Sequence, residues 1–285
     1  EHEMSGVTAA CLMVQKEVYE QVGGFDEAFV VALNDVDFCL KIREAGYGIL
    51  FNPYAKLYHY ESKSRGTEDT KEKIQQINKE GIPYVLVSAR MPKGMTAIRD
   101  ELGAKSPMIC YSGALVVDEE DNPIYSVAIS KENAKNLCKR IQELNAKILI
   151  NIYTNDEWLV EDKEEYWAAQ ESDITGVIPE EVSFEDGEVY QEVHKILCMG
   201  DKEEIAQLEQ QLIKEFPGIR IYRSKDTYLE IMSMKASKSD AIHMLKNHFH
   251  VEREEIMAFG DNFNDIDMLQ YAGLGVAMGT ASDEV

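Results

Sequence analysis

The segment IMAFGDNFNDIDML, residues 256–269, constrains the fold more than any other part of this sequence. The apolar residues 256–259 predict a buried strand, and the acidic turn after Gly260 leads into a second apolar pattern that predicts a helix. In open α/β sheets, side chains that follow the carboxyl ends of strands converge, and helix amino ends there favour anions. The segment therefore predicts an α/β domain with a polar site at this strand end.

The oxygen-rich turn of this segment is suited to a hard divalent cation. An EF-hand calcium loop is excluded, because Phe263 occupies the third position of the D-x-[DN]-x-[DN]-G pattern and Ile266 occupies the sixth. Taken alone, the turn is also typical of an acidic cap at the start of a helix. Both interpretations stay open at this point.

The pattern of apolar residues changes along the chain. Helical and strand patterns alternate after about residue 70, with a short strand at 84–87, and this alternation predicts a parallel sheet. Between residues 122 and 230 the pattern differs, with long helices predicted at 131–144 and 202–215. The alternation then resumes, so we expect an α/β domain interrupted by an α+β insert.

Two further segments place polar side chains at the end of a predicted strand or at the start of a predicted helix. Ser88 follows the predicted strand 84–87 and is itself followed by Ala89 and Arg90, while Lys238 begins a predicted helix. Phosphoryl transfer requires a hydrogen-bond donor, a fixed positive charge and a magnesium anchor around the developing charge. The hydroxyl, the lysine and the carboxylate turn match this requirement.

These motifs resemble a known family. The ordered segments LVSAR, CYSGALVVD, SKSDAIHML, GDNFNDIDML and GVAMGTASDEV are similar to those of Cof-type phosphatases of the haloacid dehalogenase superfamily, over roughly the last three quarters of the chain. The resemblance implies a Rossmann-like parallel sheet, a cap domain that covers the site and reads the substrate, and Mg²⁺-dependent hydrolysis of small phosphorylated metabolites.

The resemblance also implies roles for individual residues. It gives phosphoryl or substrate contact to Ser88, Ala89, Arg90 and Asn264, charge neutralisation to Lys238, magnesium ligation to Asp261 and Asn262, and orientation of the lysine or of a metal-bound water to Asp265.

One motif of that family does not occur where it belongs. Its members begin with an apolar strand and D-x-D-G-T, which carries the nucleophile, whereas this chain has HYESKSRGTED before the first helix of the domain. Neither Asp118, in a predicted hairpin turn, nor Asp35, in a predicted helix, is expected to replace it. Because loss of a nucleophile lowers turnover by about a millionfold, we expect impaired or absent activity. A non-catalytic module that binds a phosphorylated ligand through Ser88, Lys238 and Asn264 is an alternative.

The first part of the chain carries a different resemblance. The segments GVTAACLMVQKEVYEQVGGFDEAF, LNDVDFCLKIREAGY and LFNPYAKLYHYESKSRG are similar to the closing part of a family 2 glycosyltransferase. The resemblance implies that Asp35 is the base that deprotonates an acceptor hydroxyl, that His59 lies near a metal and the donor diphosphate, and that an upstream half completes the enzyme. From the residues alone, Asp35 is a helix-cap neighbour and His59 a strand histidine.

Four ranges summarise the expected organisation. They are a partial glycosyltransferase fragment at 1–69, the first part of the phosphatase core at 70–121, the cap domain at 122–230 and the second part of the core at 231–285.

The net charge limits the classes of binding partner, and the cysteine content indicates the redox state of the thiols. The chain has 52 acidic and 29 basic residues and a net charge of -23, which disfavours nucleic acid and anionic membranes. Its five cysteines show no C-x-x-C pairing and lie mostly among apolar neighbours, as expected for reduced thiols. No apolar stretch near the start is long enough to span a bilayer and none resembles a secretory signal. We expect a cytoplasmic protein.

Overall fold

The computed structural model describes residues 2–4, 12–26, 34–51, 77–103, 105–279, 281–282 and 284–285. The chain separates into two compact units, one of residues 77–250 and one of residues 1–76 together with 251–285. His59 lies outside the described residues. No helix in the described ranges has the length and apolar character needed to cross a membrane.

Helices and strands alternate along most of the described chain. The helices are α1 (Lys16–Gln21), α2 (Asn34–Glu44), α3 (Pro92–Glu101), α4 (Lys131–Leu144), α5 (Tyr166–Thr175), α6 (Lys202–Glu215), α7 (Lys238–Phe249) and α8 (Ile266–Tyr271). The strands are β1 (His2–Met4), β2 (Ile49–Phe51), β3 (Leu86–Val87), β4 (Met108–Cys110), β5 (Leu115–Val117), β6 (Pro123–Ser126), β7 (Leu149–Thr154), β8 (Glu157–Val160), β9 (Glu180–Glu181), β10 (Val193–Met199), β11 (Ile219–Lys225), β12 (Tyr228–Ser233), β13 (Met257–Gly260) and β14 (Leu274–Ala277).

The unit of residues 77–250 contains a four-stranded sheet of order β3-β4-β5-β6. Strands β3 and β4 are parallel, as expected from the alternating pattern, but β4, β5 and β6 form an antiparallel meander. The sheet is mixed because β5 and β6 are joined by a short turn, which permits only antiparallel pairing. Strand β6 lies in the range expected for the cap, yet it pairs with β5. The four domain ranges stay a prediction.

The same unit contains a six-stranded sheet of order β11-β12-β10-β7-β8-β9. Helices α4 and α6 have the bounds that the sequence predicts, and their apolar residues recur every three or four positions. Leu137, Ile141 and Leu212 are fully buried with Ile196 in one core cluster. The two helices therefore cover one face of this sheet.

The other face of the six-stranded sheet packs against the end of the four-stranded sheet. Tyr153 and Leu197 of the larger sheet share a buried cluster with Met108, Tyr111 and residues around them. Within this unit the two sheets thus have a common core.

The second unit contains two small sheets. Strands β1 and β2 are antiparallel, and β13 and β14 are parallel, with Met257 opposite Leu274. Phe38 on α2 is buried beside Val18 on α1 and Ile49 on β2. The expected order of strand, turn and helix in residues 256–269 is confirmed.

A close backbone contact sets the start of α7. Tyr111, Ser112 and Gly113 have φ values of 48°, 51° and 97° in the turn after β4. A Cβ atom on Gly113 would lie 2.1 Å from the carbonyl oxygen of Ser237 and 2.7 Å from the amide nitrogen of Lys238. Only glycine avoids both the contact and the strain of the left-handed conformation.

A buried histidine joins β6 to the six-stranded sheet. The Nε2 atom of His194 lies 3.0 Å from the Ser126 hydroxyl, and its Nδ1 atom accepts a hydrogen bond of 3.0 Å from the Asn155 amide. The ring is fully buried and stacks on Tyr111 at 5.5 Å between centroids. Burial lowers the pKa of His194 from 6.5 to about 4, so the neutral ring is the form that the fold accommodates.

Replacement of Gly113 tests the turn. We expect Gly113→Ala to lower the free energy of unfolding by about 2 kcal/mol or more, because a Cβ atom would clash with backbone and the residue would keep a positive φ. Gly218 has no atom within 4 Å of an added Cβ, so Gly218→Ala is the matched control. Urea unfolding followed by circular dichroism measures both, and an equal effect of the two changes would contradict the contact.

Lower pH is expected to destabilise the fold through His194. The folded-state pKa lies below the unfolded value, so the unfolded chain binds more protons between pH 6.5 and 4. The contribution of the neutral His194 ring to the free energy of unfolding is complete above about pH 6.5 and is lost as pH falls toward about 4. From pH 7 to pH 5 the wild type should lose about 2 kcal/mol more than His194→Gln, since one unit of pKa corresponds to about 1.4 kcal/mol. Urea unfolding at the two pH values measures this, and parallel losses in both proteins would show that His194 is not responsible.

Candidate functional site

Ser88 lies at the carboxyl end of β3, where the sequence places it. Its amide donates to the Ile109 carbonyl at 2.9 Å, which continues the pairing of β3 with β4. Its hydroxyl oxygen accepts a hydrogen bond of 3.2 Å from the Arg90 amide. Ser88 and Ala89 are partly buried, whereas Arg90 is exposed. The hydroxyl is therefore held on a short turn at the strand end.

Lys238 is the first residue of α7 and is 5% exposed. The Ser237 hydroxyl caps the helix by accepting from the Asp240 amide at 3.1 Å. The turn at Tyr111–Gly113 connects this helix start to Ser88, because the Ser112 amide donates to the Ser88 carbonyl at 3.0 Å and Gly113 abuts the backbone at Ser237. The structure thus brings Ser88 and Lys238 to two sides of one rigid turn.

The acidic turn after β13 is organised by Asp265. One carboxylate oxygen of Asp265 accepts from the Asp261 amide at 3.1 Å and from the Asn262 amide at 3.0 Å. Gly260 makes this possible, since a Cβ atom there would lie 2.5 Å from the Cβ atom of Asp265. Asp265 is buried, whereas Asp261 and Asn262 are exposed.

The predicted site residues are distributed over both units. Ser88, Ala89, Arg90 and Lys238 belong to the unit of residues 77–250, and Asp35, Asp261, Asn262, Asn264 and Asp265 belong to the other.

The oxygen donors of the acidic turn fit magnesium. Asp261 and Asn262 provide one carboxylate and one amide oxygen at the surface of the turn. Over the described ranges, no three His, Cys, Asp or Glu residues cluster as a metal site. Mg²⁺ commonly keeps several waters and binds through one or two carboxylates together with substrate phosphate. One carboxylate and one amide oxygen are donors of the kind that such a magnesium site uses.

Neither Asp118 nor Asp35 lies on a strand, where the nucleophile would be. Asp118 accepts from the Glu120 amide at 2.9 Å and from the Asn122 amide at 2.8 Å, as part of the predicted hairpin turn. Asp35 lies in the first turn of α2, and its carboxylate accepts from the Val36 amide at 2.9 Å.

The Ser126–His194 contact has the distance of a nucleophile and its base, but not the protonation. Because Nδ1 of His194 accepts from the Asn155 amide, the ring proton lies on Nε2, which donates to Ser126. A ring in this form cannot take a proton from the serine. The pair is a structural contact.

Three polar residues of this unit were not predicted from the sequence. Lys195 on β10 is 7% exposed, and its ammonium group donates to the Ala89 carbonyl at 3.1 Å. Ser112 bonds to Ser88, and Glu230 on β12 is also 7% exposed. A signal was present for two of them, since Lys195 and Glu230 interrupt the apolar runs VHKILCM and YLEIMS.

The family model of haloacid dehalogenase-like hydrolases matches residues 60–285. A Haemophilus influenzae protein named "Putative phosphatase" is 36% identical over 212 residues, which are 74% of this chain and 79% of that protein. In addition, 77 residues, 27% of this chain, are 51% identical to 8% of the uncharacterised protein y4gI of Sinorhizobium fredii.

Solved structures give the same result for the fold. A haloacid dehalogenase-like hydrolase from Bacteroides thetaiotaomicron has a TM-score of 0.68 and 25% identity, covering 75% of this chain and 82% of that one. The Thermotoga maritima protein TM0651 has a TM-score of 0.68 and 27% identity, covering 76% and 82%. The α/β haloacid dehalogenase-like fold with mixed sheets is thereby confirmed, and this chain belongs to the family of haloacid dehalogenase-like hydrolases.

Proposed function

We propose that this chain binds small phosphorylated metabolites in a magnesium-dependent phosphatase site whose turnover is impaired. The observation that carries the proposal is the turn at Tyr111–Gly113, which contacts both Ser88 and the start of α7. It fixes a hydroxyl and a buried lysine relative to each other through backbone contacts. A fixed donor and a fixed cation are what recognition of a phosphoryl group requires.

Each residue has a role in this proposal. The Ser88 hydroxyl and the Ala89 amide donate to phosphoryl oxygens, Lys238 neutralises their charge, and Arg90 contacts the same group. The resemblance to the family assigns phosphate contact to Asn264. Asp265 holds the acidic turn by accepting from two of its amides. Asp261 and Asn262 would hold Mg²⁺, which supplies further charge neutralisation when bound.

Impaired turnover follows from the missing motif. The residues before position 70 contain no D-x-D-G-T, and Asp118 and Asp35 are engaged in a hairpin turn and a helix. His194 carries its proton on Nε2 and does not activate Ser126. In this proposal Ser88 and Lys238 bind a phosphate ester, and neither Asp118 nor Asp35 attacks it.

A second proposal concerns residues 1–69. The haloacid dehalogenase-like family model begins at residue 60, so most of this segment lies outside it. We propose that the segment is a glycosyltransferase fragment in which Asp35 is the acceptor base. The location of Asp35 in the first turn of α2, where it is partly buried, supports this role.

Phosphate binding without rapid turnover is the expected behaviour of the purified chain. Isothermal titration with inorganic phosphate in Mg²⁺ should show binding that Lys238→Ala weakens by at least about tenfold, since a charge-assisted hydrogen bond contributes about 1.5 kcal/mol or more. Release of phosphate from p-nitrophenyl phosphate should stay close to the rate without protein.

The control for Lys238→Ala is Lys139→Ala, on the exposed face of α4, where the lysine side chain is 73% exposed. Rapid magnesium-dependent release of phosphate that Asp261→Ala abolishes would contradict impaired turnover. Absence of phosphate binding at millimolar concentration in Mg²⁺ would contradict the site itself.

The glycosyltransferase proposal is tested on genomic DNA. If residues 1–69 are a fragment of such an enzyme, sequencing upstream of the segment should find an in-frame half with its own D-x-D motif. Two separate and complete genes around this region would overturn the proposal.

A further inference from the structure

The turn between β7 and β8, formed by Asn155 and Asp156, connects the six-stranded sheet to the elements around Ser88. The Tyr111 hydroxyl donates to the Asn155 carbonyl at 2.9 Å. The Asp156 carboxylate accepts from the amide of Lys93, in the first turn of α3, at 2.6 Å. This turn therefore bonds both to the turn after β4 and to the start of α3.

His194 holds the Asn155–Asp156 turn from the other side. Its Nδ1 atom accepts from the Asn155 amide, and its Nε2 atom lies 3.0 Å from the Ser126 hydroxyl. The pairing of β10 with β7 shifts register between Val193 and Lys195, so His194 is the extra residue of a bulge. Bulges re-aim a side chain and interrupt the regular pairing. The bulge thus directs the ring at the turn.

Contacts lead from the His194 ring to the proposed phosphoryl site. The ring stacks on Tyr111 with an angle of 12° between the planes. Asn155 accepts from Tyr111 through its carbonyl and donates to His194 through its amide. The residue after Tyr111 is Ser112, whose amide donates to the Ser88 carbonyl at 3.0 Å. The protonation of His194 can therefore affect the placement of Ser88 through Asn155 and Tyr111.

The arrangement around His194 requires a neutral ring. A protonated imidazole carries a hydrogen on both nitrogens and accepts from neither. Its Nδ1–H group would face the Asn155 amide, which is also a donor. Because the ring is fully buried, the charged form would have no water to replace the lost hydrogen bond.

We infer that His194 is a pH-sensitive positioning residue, whose protonation opens the Asn155–Asp156 turn locally and releases the Tyr111–Gly113 turn that holds Ser88 and the start of α7. The consequence for ligand binding rests on the phosphoryl site proposed above. Acid weakens phosphoryl binding through this opening, since the site is complete only while the turn is closed.

Two charged groups near the ring act on its protonation in opposite directions. Burial lowers the pKa of His194, and the Glu192 carboxylate offsets part of this effect. Glu192 also accepts from the Asn155 side-chain amide at 3.1 Å. The Lys195 ammonium group lies 5.9 Å from the centroid of the Tyr111 ring and disfavours a second cation on the other ring of the stack.

The remaining titratable groups at the turn do not cause opening in acid. Burial raises the pKa of Tyr111 and of Tyr153, so both phenols stay neutral. Burial also raises the pKa of Asp156, whose carboxylate lies 3.8 Å from the Lys93 ammonium group. A carboxyl whose pKa is raised in the closed form binds protons more readily there, so its titration favours the closed turn as pH falls. His194 is therefore the group whose titration favours opening.

Hydrogen exchange of the full chain, followed by NMR, measures the opening at the Asn155 and Ser112 amides. Because the His194 pKa is about 4 in the closed form and 6.5 when released, opening should become about twentyfold more favourable from pH 7 to pH 5. Protection factors of both amides should fall by about this factor in the wild type. His194→Gln keeps an acceptor for the Asn155 amide and does not titrate, so its protection factors should change less than about twofold.

Two controls separate this local opening from other effects. Urea below the unfolding transition should accelerate exchange of the Cys198 amide in the middle of the six-stranded sheet. It should leave Asn155 and Ser112 nearly unchanged, because a local opening exposes little surface. Asp156→Asn removes the other titrating group of the turn, and the fall in protection should persist in this variant.

Inorganic phosphate in Mg²⁺ links the opening to the site. It should raise the protection factor of the Ser112 amide at pH 5, because a ligand and a proton that favour opposite states oppose each other's binding. If the turn opens as expected and phosphate has no effect, the phosphoryl site is contradicted and the pH-sensitive turn stands.

Three results overturn the inference itself. Equal falls in protection in the wild type and His194→Gln would show that another group causes the opening. A fall at Asn155 with none at Ser112 would remove the coupling to the site. If His194→Gln does not fold, the wild type still provides a test, since unchanged protection of both amides between pH 7 and pH 5 would exclude the opening.

Discussion

The close approach of Gly113 to the backbone of Ser237 is the contact on which the placement of Lys238 relative to Ser88 depends. A Cβ atom at Gly113 would lie 2.1 Å from the Ser237 carbonyl oxygen, so the approach requires glycine. The preceding residue, Ser112, donates to the Ser88 carbonyl. Because these are backbone contacts, they do not change with side-chain rotamers. The hydroxyl of Ser88 and the helix that begins at Lys238 are consequently held by the chain itself.

The features that the sequence predicted are those determined by nearby residues. Helices α4 and α6 have their expected bounds because apolar spacing and capping are local, and the acidic turn is local because Asp265 bonds to amides three and four residues away. The pairing of β6 with β5 and the bond from Lys195 to Ala89 were not predicted. The latter joins residues 106 apart in sequence, and no local pattern specifies which strand face meets which loop.

The negative net charge of the chain affects how Lys195 and Lys238 can attract an anionic ligand. At -23 the chain repels phosphate esters in solution. Lys195 and Lys238 are 7% and 5% exposed, so little solvent surrounds them. Attraction between a buried cation and a phosphate is screened less by water and salt than attraction at the surface. Buried lysines can therefore attract an anionic ligand in a protein whose surface is acidic.

Recognition and turnover depend on different groups in this chain. Phosphoryl recognition requires donors and cations such as Ser88 and Lys238, whereas turnover also requires an attacking group. Asp118 is engaged by the amides of its hairpin turn, and His194 has its Nε2 proton directed at Ser126. If turnover is impaired as proposed, interactions with the leaving group would affect affinity and not rate, because only interactions made in a transition state accelerate a reaction.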